Sequence, residues 1–156
     1  VNDAVLDKDG ISAAVKFLEM IEDLNSRHVG PLERLDELAL EIGLFVTHQA
    51  SGQFESLTIK SRLDALRNAP PEEVNGSQIV TTIDWLEKPP PLATNLIEFR
   101  SKDGVRIAIR PSGTEPKVKI YLEQTIPNPV GDLAALRSSC SENLKSLGDT
   151  TLSWFG

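Results

Sequence analysis

The spacing of apolar residues changes character along the chain. Ile11, Ala14, Val15, Leu18, Ile21 and Leu24 recur at helical intervals. Asp9 is placed to cap that helix at its start, and the pattern fades near Arg27-His28. Gly30-Pro31 interrupts it, and Pro31 suits the first turn of a new helix better than the end of an old one. The second helix carries Leu32, Leu35, Leu38 and Ile42 and stops at Gly43, a residue type suited to a left-handed C-cap.

From Phe45 onward the period shortens. Phe45 to Gln49 reads as a strand. Ser56 is the expected N-cap of a helix with Leu57, Leu63 and Leu66, ended by Pro70-Pro71. Ile79–Trp85, Asn95–Ser101, Val105–Arg110 and Lys117–Glu123 read as strands, with Pro89-Pro90-Pro91 as a stiff connector and Lys102-Asp103-Gly104 as a reversal. Leu133, Leu136, Cys140, Leu144 and Leu147 mark a final helix. Consecutive strands with short links favour an antiparallel sheet, and two helices on one of its faces give an α+β layer.

The last hairpin carries a predicted register. With Arg110 opposite Lys117, Ile109 faces Val118, Ile107 faces Ile120 and Val105 faces Leu122, all apolar and on one face. The other face then shows Arg106, Ala108 and Arg110 against Tyr121, Lys119 and Lys117.

A length of 156 residues is enough for one domain, or one domain plus a fragment, to bury a core without staples. The net charge is −7, which argues against a nucleic-acid or anionic-membrane binder. No apolar run reaches the ~20 residues of a membrane span. The single cysteine, Cys140, falls on the final helix's apolar stripe and leaves no intramolecular disulfide, in keeping with a cytoplasmic location. The chain opens on Val1-Asn2-Asp3 rather than on methionine, so the expectation is a piece of a longer protein.

Charge is not evenly spread. Between Glu98 and Lys119 six cations meet three anions, a local +3. That segment ends in Arg110-Pro111-Ser112-Gly113-Thr114-Glu115-Pro116-Lys117. Two cations at the base, two hydroxyls and a glycine that tolerates positive φ and close backbone approach describe a phosphate site. Arg110 can grip two oxygens, Lys117 supplies a point charge, and Pro111 and Pro116 stiffen the loop. The same residues also make a generic hairpin loop. The motif is not a nucleotide P-loop, since it lies between strands and lacks the Gly-x-x-x-x-Gly-Lys-Ser/Thr spacing.

This loop, with Val118-Lys119-Ile120-Tyr121 after it, closely resembles the phosphate-binding loop of the α-D-phosphohexomutases, the phosphoglucomutase/phosphomannomutase enzymes. Ala93 to Phe99, Asp103-Gly104 and Asp7 to Ala14 are similar to the same family. The resemblance implies residues 1–29 as the last helix of a third domain and residues 30–156 as the fourth, C-terminal domain. It also implies the fold class: α+β, an antiparallel four-stranded sheet with helices on one face, resembling the TATA-binding protein, preceded by an extra helix.

In such an enzyme a phosphoserine in the first domain exchanges its phosphoryl group with a sugar 1- or 6-phosphate. The fourth-domain loop holds the phosphate that is not being transferred. The residues this implies are Arg110, Ser112, Gly113 and Thr114, with Lys117 or Lys119 as a further cation. The implied partners are a hexose phosphate or bisphosphate and the remaining N-terminal domains, with no nucleic acid and no membrane. The implied cofactor is Mg²⁺ in the parent enzyme.

No Ser-His-Asn-Pro nucleophile loop, Asp-Gly-Asp-Gly-Asp metal loop or Gly-Glu-Glu-x-Gly sugar loop occurs in the sequence. The expectation is therefore that this chain alone has no catalytic residue, no metal site, no bound cofactor and no part in hydroxyl recognition. A stand-alone phosphate-binding module, or the same domain of a phosphopentomutase or phosphoglucosamine mutase, are the alternatives. His28 and His48 stand alone, Asn75-Gly76-Ser77 reads as a turn, and Trp85 and Trp154 as packing residues. The link at Val29-Gly30-Pro31 is the expected hinge. The stripe of helix 11–27 would be exposed without its own domain's sheet, so it is expected to dock or to pair with a second copy.

Overall fold

The computed structural model describes residues 9–156. It divides into two compact units, Val1–Gly43 and Leu44–Gly156. The expected seam at residues 29/30 lies inside the first of these.

The first unit holds α1 (Gly10–Ser26) and α2 (Pro31–Ile42). Asp9 caps α1 as expected, its carboxylate accepting from the Ile11 amide at 3.0 Å. The end of α1 is a Schellman turn, in which the Val29 amide donates to the Leu24 carbonyl and the His28 amide to that of Asn25, both at 3.0 Å. His28, not a glycine, takes the left-handed position, at φ +56°. Gly30 then starts α2, and its amide donates to the Glu33 carboxylate at 2.6 Å, half of a capping box. Both helices leave apolar side chains in solvent, among them Ile11, Val15, Leu18, Leu32 and Leu40.

The second unit runs β1 (Leu44–Gln53), α3 (Ser56–Asn68), β2 (Glu73–Val74), β3 (Ser77–Asp84), a short 3₁₀ turn at Trp85–Glu87, β4 (Ile97–Ser101), β5 (Val105–Pro111), β6 (Lys117–Ile126) and α4 (Leu133–Ser153). The sheet is antiparallel throughout, as expected, but it has six strands in the order β1-β6-β5-β4-β3-β2, not four. One addition is β2, two residues that carry no readable period. Asn75 and Gly76 join it to β3 with φ of +49° and +76°, the left-handed pair that a primed hairpin turn needs.

One face of the sheet is the core. Ile97 and Phe99 of β4, Ile107 and Ile109 of β5 and Val118, Ile120 and Leu122 of β6 form one cluster with Ile59 and Leu63 of α3 and Leu144 and Leu147 of α4. Each side chain buried this way contributes about 1.5–3 kcal/mol. Cys140 is buried on α4, as its place on the stripe predicts, and burial pushes its thiol pKa up. Trp154 packs edge-on to Phe99 with ring centroids 6.4 Å apart. At Gly148, α4 comes so close to the sheet that an added Cβ would lie 3.0 Å from the Ala50 methyl and 3.3 Å from Leu122.

Two local expectations are corrected. Ser56 is not the N-cap of α3. Glu55 holds that place, Ser56 is the first helical residue, and no side chain caps the start. The second correction is the β5–β6 register, which is displaced by two residues. Ile109 faces Ile120, Ile107 faces Leu122, Val105 faces Gln124 and Arg110 faces Lys119. An even displacement keeps every side chain on its expected face, so alternation alone could not detect it.

The turn explains the displacement. Strand β5 continues through Pro111, and the Ser112 amide closes the loop on the Lys117 carbonyl at 2.7 Å. Pro111 is one place from that bonded pair, so its nitrogen, which has no hydrogen to give, points away from β6. It points to the side where β4 has not yet begun, since Ile97 of β4 pairs with Ile109.

Candidate anion site on the open face of the sheet

The face opposite the core is mostly polar. Along β1 its side chains are Phe45, Thr47, Gln49, Ser51 and Gln53, all exposed. Along β6 they are Lys117, Lys119, Tyr121 and Glu123, along β5 Arg106, Ala108 and Arg110, and along β4 Glu98 and Arg100.

The cations on this face fall into two groups. At one end, Arg100 Nε donates to Glu98 Oε1 at 2.7 Å and Arg106 Nη2 to Glu98 Oε2 at 2.8 Å. Trp85 Nε1 reaches the second oxygen at 3.3 Å. Glu98 is fully buried beneath these donors. Burial pushes its carboxyl up, but the hydrogen bonds from Arg106 and Arg100 outweigh that and hold it below the ordinary glutamate value. Arg106 is raised in return, mainly through its bond to Glu98.

At the other end, Arg110, Lys117 and Lys119 make no ion pair among the described residues. Arg110 and Lys119 are direct cross-strand partners, and Lys117 is two residues along β6 on the same face. Like charges set opposite each other in a sheet are destabilising. The three unpaired cations therefore form a patch whose repulsion an anion would relieve. Three of the six cations of the 98–119 segment are here, and Glu98 does not offset them because it is committed to Arg100 and Arg106.

The loop above the patch is held at both ends. The Ser112 amide is spent on Lys117, and the Lys117 amide on the Glu115 carbonyl at 2.8 Å. The Phe54 amide, just past the end of β1, ties down the Pro116 carbonyl at 3.1 Å. The Gly113 and Thr114 amides have no partner among the described residues, and both residues are exposed. Ser112 is half-buried.

Gly113 differs from expectation. It is not among the positive-φ glycines, and an added Cβ would meet nothing within 4 Å. The loop's conformation does not require a glycine there, and the space a Cβ would enter is open.

All six residues singled out from the sequence thus lie together, with two changes of role. Lys119, not Lys117, is Arg110's neighbour, and Ser112 offers its hydroxyl but not its amide. The sequence reading missed the clamp on Glu98 and the tie from Phe54 to Pro116, both of which depend on contacts distant in the chain.

Among the described residues no three His, Cys, Asp or Glu side chains gather to hold a metal.

Residues 59–144 match the family model described as the phosphoglucomutase/phosphomannomutase C-terminal domain, more than half of the chain. The chain belongs to that family. A probable phosphomannomutase from Haemophilus influenzae is 37% identical over 128 residues, covering 81% of this chain and 26% of that protein. A glucose 1,6-bisphosphate synthase from Pongo abelii is 30% identical over 170 residues, covering 97% of this chain and 27% of that protein. Among solved structures, the open form of pp63/parafusin, an exocytosis-sensitive phosphoprotein and phosphoglucomutase from Paramecium, shares the fold. Its TM-score is 0.58 at 19% identity, over 95% of this chain and 28% of that one. The chain spans about a quarter of the length of these relatives. Their names cover more than one sugar reaction.

Proposed function

We propose that this chain serves as the phosphate-holding domain of a sugar-phosphate mutase, an isomerase that moves a phosphoryl group between two positions of one hexose. In this reading Arg110, Lys119 and Lys117, with the Ser112 and Thr114 hydroxyls and the free amides of Gly113 and Thr114, hold the phosphate that is not being transferred. The observation that carries it is the cation trio left unpaired beside a loop with free amides. Elsewhere on the same face a buried glutamate pairs with two arginines.

Phosphoryl transfer depends on positioning and electrostatics. A grip on the distant phosphate orients the reacting end, and that binding energy can drive closure of a cleft. A grip on a separate domain also lets the cleft open while the sugar turns round. The nucleophile and the Mg²⁺ that assists it belong to the parent's other domains, so the chain alone is inactive. The exposed stripe of α1 meets those domains in the parent; in the isolated chain it meets a second copy. The parent works in the cytoplasm.

A two-dimensional NMR titration with glucose 1,6-bisphosphate tests the reading. Shifts are expected at Ser112, Gly113, Thr114 and Lys119, and they vanish in Arg110→Ala. Lys119→Met weakens binding while leaving thermal stability unchanged or raised by a few tenths of a kcal/mol, about what relief of a like-charge pair gives. Shifts centred elsewhere, or a Lys119→Met protein that loses stability, would contradict it.

A further inference from the structure

The sheet register places two residues of β1 beside the cation patch. Ser51 pairs with Lys119, which pairs with Arg110 on its other side. Gln53 pairs with Lys117, whose carbonyl accepts from Ser112. Cross-strand partners share a face, and neighbouring strands are about 4.8 Å apart. The open face therefore carries two lateral rows at the loop end, Ser51–Lys119–Arg110 and Gln53–Lys117–Ser112. The charges are on β5 and β6, and the β1 column is neutral.

We propose that Ser51 and Gln53 bind hydroxyl groups of the sugar whose phosphate rests on Arg110 and Lys119. This rests on the phosphate reading of the loop and extends it, since the sequence pointed to no hydroxyl recognition in this chain. Three features of the rows carry the assignment. Ser51 and Gln53 are both exposed. A hydroxyl and a carboxamide each donate and accept, as a sugar hydroxyl requires, whereas a second phosphate would be met by cations. One strand spacing, about 4.8 Å, is within reach of a ring substituent on a phosphate held at the centre of the rows. The next row carries Gln49, Tyr121 and Ala108 and ends at Glu98, so no free carboxylate opposes a ligand there.

The test compares orthophosphate with glucose 6-phosphate on the 156-residue chain by NMR titration, in the wild type, in Ser51→Ala, in Gln53→Ala and in the double variant. In the wild type the sugar phosphate binds more tightly than orthophosphate by roughly 2- to 10-fold for each hydrogen bond made. Each single variant loses part of that excess. The double variant binds both ligands alike and keeps the wild-type orthophosphate affinity. Equal affinities in the wild type, or an excess that survives in the double variant, overturn the role of Ser51 and Gln53 and leave the loop reading standing. No response to either ligand overturns the loop reading, and this inference with it.

Discussion

Glu98 shows what a single residue decides. Its side chain is fully buried, while those of Arg106 and Arg100 are 35% and 53% exposed. The arginines can regain water if the carboxylate is removed, so the cost stays below the about 3–5 kcal/mol of a fully buried broken pair. Glu98→Gln is expected to cost roughly 1–3 kcal/mol at neutral pH. The folded carboxyl is held below its ordinary value, so on acidification the unfolded chain takes up that proton first. Stability from this group is complete above the ordinary glutamate range and falls as pH drops through it to the depressed value. Denaturant melts from pH 7 to 3 should show that decline in the wild type and a flatter limb in Glu98→Gln. An unchanged limb would remove the group from the account.

At this scale the sequence was informative about chemistry and silent about pairing. The residue types of the loop pointed to phosphate, and all six lie on or above one face. Which cations are free and which are paired depends on β4 and β5 lying side by side, and no local pattern shows that.

Among the elements, the legible features were those with a period. Asp9, Pro31 and the α4 stripe lie where the spacing put them. The first strand was read only to Gln49, because Ala50-Ser51-Gly52 has turn composition. It continues to Gln53 because Ala50 and Gly52 face α4, where small side chains are needed. The loop-end register was misplaced by two because both alternatives bury apolar pairs, and only the turn chemistry at Pro111 and Ser112 separates them. The seating of α4 gives the prediction that belongs here. Gly148→Val would drive carbons into Ala50 and Leu122, and the Ala50 methyl cannot yield without moving β1. A loss of about 1–3 kcal/mol is expected in chemical denaturation; a neutral result would mean that α4 is not held against the sheet at Gly148.

Across the whole molecule the contrast is between the two units. The second has its own core of strands and helices, and Phe99, Ile97, Ile109, Val118 and Ile120 are wholly buried. The first leaves Ile11 81%, Leu18 66% and Leu40 64% exposed. Separated apolar residues at a surface are ordinary; Ile11, Val15 and Leu18 instead form an exposed row along α1, the basis of the proposed pairing. Sedimentation velocity should show concentration-dependent association of the chain, abolished by Ile11→Glu with Leu18→Glu. A monomer at every concentration would set aside pairing through α1.

In the proposed function the unpaired cations at the loop form a phosphate site. A crystal structure of the chain grown with glucose 1,6-bisphosphate tests this directly. The prediction is one phosphate bound by Arg110 and Lys119 and by the Gly113 and Thr114 amides, with Arg100 and Arg106 still on Glu98. A phosphate seated on Arg100 and Arg106, or a loop left bare beside a ligand bound elsewhere, would contradict it.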